Sequence, residues 1–152
     1  MKTPLIYKFL NDDELLRISN KIRSEEKKTA GEICVSIKES RSFLQRNKSL
    51  RKLAEEEFFK LGIDKTRDKT GIIIFFLLEA RQFYILADEG INRKVPEKTW
   101  DNIKDEMQEH FLEGRFSEGI IHGIERIGKI LGEHFPIKPD DTNEISNRVV
   151  LE

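Results

Sequence analysis

Two adjacent apolar runs constrain the fold of this chain more than any other feature of its sequence. The runs, "IIIFFLL" and "FYILA", lie within residues 70–91 and are separated by the polar tetrapeptide "EARQ". Because a membrane-spanning helix needs about 20 mainly apolar residues, neither run is long enough to cross a bilayer. Both runs are rich in β-branched and aromatic residues, which is typical of strands joined by a tight turn. The sequence therefore predicts a β-hairpin.

The predicted hairpin has strands at residues 71–78 and 82–87. Apolar side chains occupy both faces of these strands, so we expect a covering layer on each side of the hairpin. A two-residue turn at positions 80–81 would place Asp88 opposite Ile73. The acidic segment "ADEG" therefore leaves the hairpin beside the loop that enters it.

The patterns before and after the hairpin predict an α/β fold. One helical segment begins after a capping-box signal at Asn11, and a second ends at Gly62. A third begins at Pro96, and a fourth ends before Pro136. The alternating segment "GEICVSIK" predicts a strand over residues 32–38, which a helical crossover would make parallel to the first hairpin strand. We expect a three-layer α/β/α sandwich, with a mixed central sheet flanked by about four helices.

Length and charge are those of one compact soluble domain. The 152 residues suit a single domain at 1–136, with residues 137–152 expected as a flexible tail in which Leu151 and Glu152 could be a cloning scar. The 27 basic residues nearly balance the 28 acidic ones, so net charge favours neither nucleic acid nor a membrane as partner. The N-terminal segment has no signal-peptide pattern, and we expect a cytoplasmic protein of undetermined oligomeric state.

Acidic residues from separate segments meet at one predicted end of the sheet. Asp88 and Glu89 follow the second hairpin strand, "DKTRDKTG" enters the first, and Glu32 begins the parallel strand. Carboxylates from several loops suit a hard cation such as Ca²⁺ or Mg²⁺. Ordinary solvated loop acids are the alternative. The candidate metal ligands are Glu32, Asp68, Asp88 and Asp101.

Several other chemistries are excluded by spacing. No arginine lies six positions after Cys34, as a cysteine phosphatase requires, and no P-loop or dinucleotide motif occurs. The three histidines are twelve residues apart, so no helical i, i+4 metal pair exists. The clustered acids remain as candidates for catalysis. Their mutual repulsion can keep one carboxyl protonated at mildly acidic pH, so that it can act as a general acid.

A series of short motifs occurs in a specific order: "GEI", "F-x-K-L-G-x-x-K-T", "G-I-x-I-F", "D-x-G-I", "W-D" and "F-x-x-G-x-F-x-E-G". Together they resemble the TPM domain family, the module of the plant thylakoid-lumen acid phosphatase and of bacterial relatives. The resemblance implies a mixed sheet flanked by helices, a divalent-cation site built from loop acids, and acid phosphatase activity on phosphomonoesters. It places the family's acids on Glu32, Asp68 and Asp88. The loop before the first hairpin strand is one or two residues longer than in many members.

Two classes of function follow. In the first, the protein is a phosphomonoester hydrolase with Asp68 and Asp88 as catalytic residues. In the second, it is a non-catalytic protein-interaction module with at most a structural ion, and such a module would expose a hydrophobic patch. The candidate phosphate-binding cations of the enzyme are Lys65, Arg67, Lys69 and Arg93.

Overall fold

A computed structural model of the chain describes residues 4–137 and 149–152. Its sheet has four strands in the order β3-β2-β1-β4. The strands are β1 (Glu32–Lys38), β2 (Gly71–Leu77), β3 (Gln82–Ala87) and β4 (Val149–Leu151). The helices are α1 (Asp12–Glu26), α2 (Leu50–Lys60), α3 (Glu89–Asn92), α4 (Lys98–Leu112) and α5 (Phe116–His134).

The central sheet is the one that the apolar runs predict. β1 pairs with β2 in parallel and β2 pairs with β3 in antiparallel fashion, which confirms the predicted mixed sheet. All residues of β2 are buried, because this strand lies in the middle of the sheet with apolar layers on both faces. β3 is buried at alternate positions only, since it forms one edge of the sheet.

Helices cover both faces of the sheet. On one face, side chains such as Ile33 and Ile72 pack into the larger core together with α1, α4 and α5. On the other face, Ile73 and Phe75 pack against α2 in a smaller core. This arrangement is the expected α/β/α sandwich. Among the described residues, no helix is both long and apolar enough to cross a membrane.

The first helix begins as the capping box predicts. The side chain of Asn11 accepts a hydrogen bond from the amide of Glu14 at 2.8 Å, and the carboxylate of Glu14 accepts one from the amide of Asn11 at 3.0 Å. This reciprocal pair satisfies two amides that a helix leaves without intrahelical partners. The second carboxylate oxygen of Glu14 accepts a hydrogen bond from Ser117 in α5, so the cap also joins two helices.

The turn of the hairpin is longer than the predicted two residues. Residues 78–81 form the turn, in which the amide of Arg81 donates to the carbonyl of Leu78 and Arg81 adopts a left-handed φ of 51°. The amide of Leu78 donates to the carbonyl of Lys38 in β1 at 2.9 Å. Leu78 therefore follows β1 instead of continuing the pairing with β3.

The longer turn changes the register of the hairpin. The amide of Asp88 donates to the carbonyl of Gly71 at 2.9 Å, whereas the predicted register placed Asp88 opposite Ile73. The predicted register is thus wrong by two residues. A shift of two preserves the face on which each side chain lies, because side chains alternate with a period of two along a strand.

The prediction of a flexible tail at residues 137–152 is wrong for its end. Residues Val149–Leu151 form β4, which pairs in parallel with Val35–Ile37 of β1. Without this pairing the backbone groups on that side of β1 would be an open sheet edge. Residues 138–148 lie outside the described part of the chain.

Cys34 occupies the middle of the smaller core. Its side chain is fully buried in β1 between the sheet and α2. Burial raises the pKa of the thiol to about 12, and the nearby carboxylates of Glu57 and Glu26 act in the same direction. Cys34 therefore stays a neutral thiol and behaves as a small apolar residue.

Candidate functional site

Two predicted site acids flank β2 at one end of the sheet. Glu32 is in register with Gly71, and the amide of Asp88 pairs with the carbonyl of the same glycine. Adjacent strands are about 4.8 Å apart, so the three residues form a row across β1, β2 and the end of β3. Glu32 is buried and Asp88 is half-buried. The structure thus brings these two acids to the same end of the sheet.

Asp88 is the N-cap of α3, a short helix that the sequence patterns did not predict. Its Oδ1 accepts a hydrogen bond from the amide of Glu89 at 2.8 Å. Its Oδ2 is buried and accepts no hydrogen bond from any described residue. A carboxylate oxygen in such a position can accept a proton donor or ligate a cation.

The loop between α2 and β2 packs directly on this helix. A Cβ atom built on Gly90 would lie 2.5 Å from the carbonyl oxygen of Lys69 and closer still to that of Asp68. The loop is held in place by Thr66, whose buried hydroxyl accepts a hydrogen bond from the amide of Thr70 at 2.9 Å. Backbone carbonyl oxygens of the loop therefore lie beside the segment that carries Asp88.

Side chains of this loop differ from the predicted arrangement. Asp68, a predicted ligand and catalytic residue, is exposed and forms an ion pair with Arg67 at 3.6 Å. Asp64, which the site prediction left out, has a buried Oδ1 without a hydrogen-bond partner among the described residues. The ammonium of Lys69 donates a hydrogen bond to the carbonyl of Asp64 at 2.9 Å, and Lys65 is exposed.

A cleft of about 550 Å³ lies between α2 and the end of β3. Asp88 and Arg93 line it on one side, and Arg51 and Glu55 line it from α2. Arg51 was not predicted as a site residue, although it is a cation on the exposed face of a helix that packs on β3. Arg93 pairs with Glu89 at 3.5 Å and Arg51 with Glu55 at 3.1 Å. All four charged side chains are accessible to solvent.

The fourth predicted metal ligand, Asp101, is exposed in the first turn of α4. Its neighbour Trp100 donates a hydrogen bond to Asn92 of α3 at 3.0 Å, which ties the start of α4 to the site segment. Within residues 4–137 and 149–152, no group of three or more acidic, histidine or cysteine side chains is arranged to hold a metal ion. A shared ion on Glu32, Asp68, Asp88 and Asp101 stays a prediction.

An acid outside the predicted site has a strongly shifted pKa. Glu57 on α2 is 5% exposed, and its carboxylate accepts a hydrogen bond from the hydroxyl of Ser36 in β1 at 2.6 Å. Burial raises the pKa of Glu57 to about 7, and the adjacent carboxyl of Glu152 contributes in the same direction. The burial of Glu57 was predictable from the sequence, because Glu57 follows Leu53 by four positions and therefore lies on the same buried face of α2.

The fold and the acidic end of its sheet define a class of protein: an α/β/α sandwich domain with carboxylates gathered where β1 and β2 begin. The profile of the TPM domain matches residues 7–130, and the chain belongs to the TPM domain family.

Solved structures agree with this assignment. The NMR structure of the BA42 protein from the psychrophilic bacterium Bizionia argentinensis is 33% identical, with a TM-score of 0.84 over 95% of this chain and 96% of that one. The N-terminal domain of a P. gingivalis protein is 18% identical, with a TM-score of 0.67 over 84% of this chain and 79% of that one. The N-terminal domain of the cg2496 protein from Corynebacterium glutamicum is 12% identical, with a TM-score of 0.60 over 80% and 74%. The last two show the fold alone, and no curated protein matches the chain.

Two glycine substitutions test the packing of the site loop. Gly90→Ala is expected to lower the free energy of unfolding by about 1–3 kcal/mol, because the new methyl group meets backbone carbonyls that cannot rotate away. Gly132→Ala in α5 is the matched control, since its Cβ would meet nothing closer than 3.5 Å. It should raise stability by up to about 1 kcal/mol through helix propensity. Urea denaturation of both variants measures the effects, and equal changes in the two would contradict the close packing.

Proposed function

We propose that this TPM domain hydrolyses simple phosphomonoesters, with an acidic pH optimum, in the cleft between α2 and α3. The observation that carries the proposal is that Asp88 and Arg93 line one cleft. Hydrolysis of a phosphomonoester needs a cation for the phosphoryl oxygens and a carboxyl group that handles a proton. Family resemblance to an acid phosphatase supports the choice of substrate and of pH.

The reaction assigns a separate role to each side chain. The oxygen of a water molecule bonds to phosphorus, the ester P–O bond breaks, and the leaving oxygen takes a proton, so that the products are an alcohol and inorganic phosphate. Asp88 orients the water or supplies the proton. Arg93 and Arg51 bind the phosphoryl oxygens from opposite sides of the cleft.

The oxygen atoms around Asp88 also fit a hard cation. The buried Oδ2 of Asp88 has no hydrogen-bond partner among the described residues, and the carbonyls of Asp68 and Lys69 lie beside Gly90. Oxygen donors of this kind are preferred by Ca²⁺ and Mg²⁺. Asp88 and the carbonyls of Asp68 and Lys69 would hold the ion. A divalent ion bound there would polarise a phosphoryl oxygen.

Asp88→Asn is expected to reduce hydrolysis of p-nitrophenyl phosphate by about 100-fold or more, the usual contribution of a positioned acid or base. The rate should be measured from pH 4 to pH 8 with and without Ca²⁺ or Mg²⁺. Asp68→Asn tests the loop acid that the family resemblance indicates as catalytic. Asp105→Asn, an exposed acid on α4, is the matched control and should keep the full rate. An unchanged rate in folded Asp88→Asn would assign the activity to another site or to a contaminant.

Calcium binding has its own test. Calorimetric titration with CaCl₂ should give a binding heat for the wild type and little heat for Asp88→Asn, because a carboxylate ligand is lost. Circular dichroism confirms that the variant is folded. Identical heats in the two proteins would show that Asp88 is not a calcium ligand. The proposed role of Asp88 in hydrolysis would then be only to orient the water or supply the proton.

A non-catalytic interaction module is the second candidate, and one observation favours it. Phe43 and Leu44 are adjacent in a short 3₁₀ turn and are 75% and 84% exposed. The guanidinium of Arg46 lies 4.4 Å from the centre of the Phe43 ring. Exposed apolar side chains of this kind are typical of contact surfaces. Absence of hydrolysis at every pH on several phosphoesters would select this candidate.

A further inference from the structure

A second cavity, of about 360 Å³, lies at the opposite end of the sheet from Asp88. It is bounded by the end of β2, the start of β3, the last turn of α4 and the segment before α1. The acidic end of β2 begins at Gly71, whereas this cavity is formed around Phe76 and Leu78. The cavity is therefore separate from the cleft of the proposed phosphatase.

The walls of the cavity are aromatic. Phe76 stacks on Phe83 with ring centres 5.4 Å apart, and both contact the ring of Phe111 at 6.0 and 5.2 Å. The ring of Phe116 lies 5.0 Å from that of Phe111 and 5.2 Å from that of Phe9. These five side chains provide an apolar surface on which a hydrocarbon can be buried.

The polar groups that line the cavity are positive or neutral. Among the described residues, Lys8 and Arg81 carry the charges on its lining, and Gln82 and Gln108 contribute amides. Lys8 and Arg81 are exposed, and neither has an ion-pair partner in the described part of the chain. No acidic residue among those described lines the cavity.

Acids on the neighbouring segments are engaged elsewhere. The carboxylate of Glu39 accepts a hydrogen bond from the amide of Ile6 at 3.3 Å. The carboxylate of Glu79 accepts one from the amide of Arg41 at 3.0 Å. Neither carboxylate forms an ion pair with Lys8 or Arg81 in the described part of the chain.

We propose that this cavity binds a small amphipathic carboxylate, with its hydrocarbon part among the phenylalanine rings and its carboxylate on Arg81 and Lys8. Ligand sites are mostly apolar, with a few polar groups that orient the ligand, and their volumes begin at about 300 Å³. Arginine is suited to a carboxylate because its guanidinium can donate two parallel hydrogen bonds. A cationic amphiphile would be repelled, and a neutral one would gain nothing from the two charges.

The test titrates ¹⁵N-labelled protein with decanoate and decyltrimethylammonium below their micelle concentrations, and with decanol below its solubility limit. Decanoate is expected to shift the amide signals of Leu78, Gln82, Leu112 and Gly114, which belong to the cavity lining. Decanol should bind about tenfold more weakly because it lacks the charge, a loss equivalent to about 1.4 kcal/mol. The cationic amphiphile should not shift these signals.

Variants separate the cavity from unspecific binding. A double variant, Lys8→Gln with Arg81→Asn, is expected to lose about tenfold in affinity for decanoate; asparagine is chosen because it tolerates the positive φ at position 81. Arg46→Gln, which removes an exposed cation elsewhere, is the matched control and should bind as the wild type does. Shifts confined to Phe43 and Leu44, or equal affinities for decanoate and decanol, would overturn the proposal. Asp88→Asn should bind decanoate as the wild type does, because Asp88 does not line this cavity. The decanoate test is therefore independent of the phosphatase proposal.

Discussion

Replacing Phe75 by alanine is expected to lower the free energy of unfolding by about 3–5 kcal/mol, the usual cost of deleting a buried aromatic side chain. Phe75 is 1% exposed in the central strand β2 and belongs to the smaller core beneath α2. Among the described residues, α2 and the short 3₁₀ helix at Ile63–Lys65 cover that face, so few neighbouring side chains can move into the cavity that the substitution leaves. A loss of this size is a large part of the 5–15 kcal/mol that stabilises a typical domain.

Urea denaturation followed by circular dichroism measures the effect of Phe75→Ala. Phe43→Ala is the matched control, because it deletes the same side chain at a position that is 75% exposed. Its effect should stay within about 0.5 kcal/mol. A loss below about 1 kcal/mol in Phe75→Ala would show that α2 packs less tightly on the sheet than the structure indicates.

Replacing Glu57 by glutamine is expected to stabilise the protein at pH 8 by about 1–3 kcal/mol relative to its effect at pH 5. Burial raises the pKa of Glu57 from 4.5 to about 7 in the folded protein. Ionising this carboxyl therefore costs more in the folded state than in the unfolded state. The cost is absent below about pH 4.5, grows between pH 4.5 and 7, and is complete above that range. Glutamine carries no charge and can still accept the hydrogen bond from Ser36.

The comparison uses the difference between variant and wild type at each pH, since other carboxyls titrate in both proteins. The pKa values of Glu14, Glu56 and Glu106 are lowered, so these groups destabilise the fold as the pH falls. Glu55→Gln on the same helix is the control, because its carboxylate pairs with Arg51 near the surface. If Glu57→Gln changes stability equally at pH 5 and pH 8, Glu57 is ionised in the folded protein at both values.

The strands were predictable because their side-chain patterns are local. The run "IIIFFLL" has no polar position, and β2 is accordingly buried on both faces. The register of the hairpin was not predictable, because it depends on Leu78, whose amide bonds to Lys38 of β1 and not to β3. Pairing between distant segments leaves no trace in a short sequence window. β4 was missed for the same reason, since three residues form a strand only against the free side of β1.

The position of the site was easier to predict than its side chains. Alternation along β1 and β3 is enough to bring Glu32 and Asp88 to one end of the sheet. The loop before β2 has no such periodicity, and its acids are oriented by backbone contacts. Asp68 therefore points to solvent, whereas Asp64 has a buried carboxylate oxygen. Arg51 joins the cleft only because α2 packs across β3, which the helical pattern alone does not specify.

The buried position of Cys34 gives the molecule a reporter of its own opening. Thiol reagents attack the thiolate, and Cys34 can form one only when β1 loses its cover. The cover of the smaller core includes α2 and Val150 of β4, so each labelling event records an opening of that core. The chain has a single cysteine, and no second thiol adds to the signal. The rate of labelling under native conditions therefore reports how often the interior of the sheet becomes accessible, in a protein that needs no engineered label.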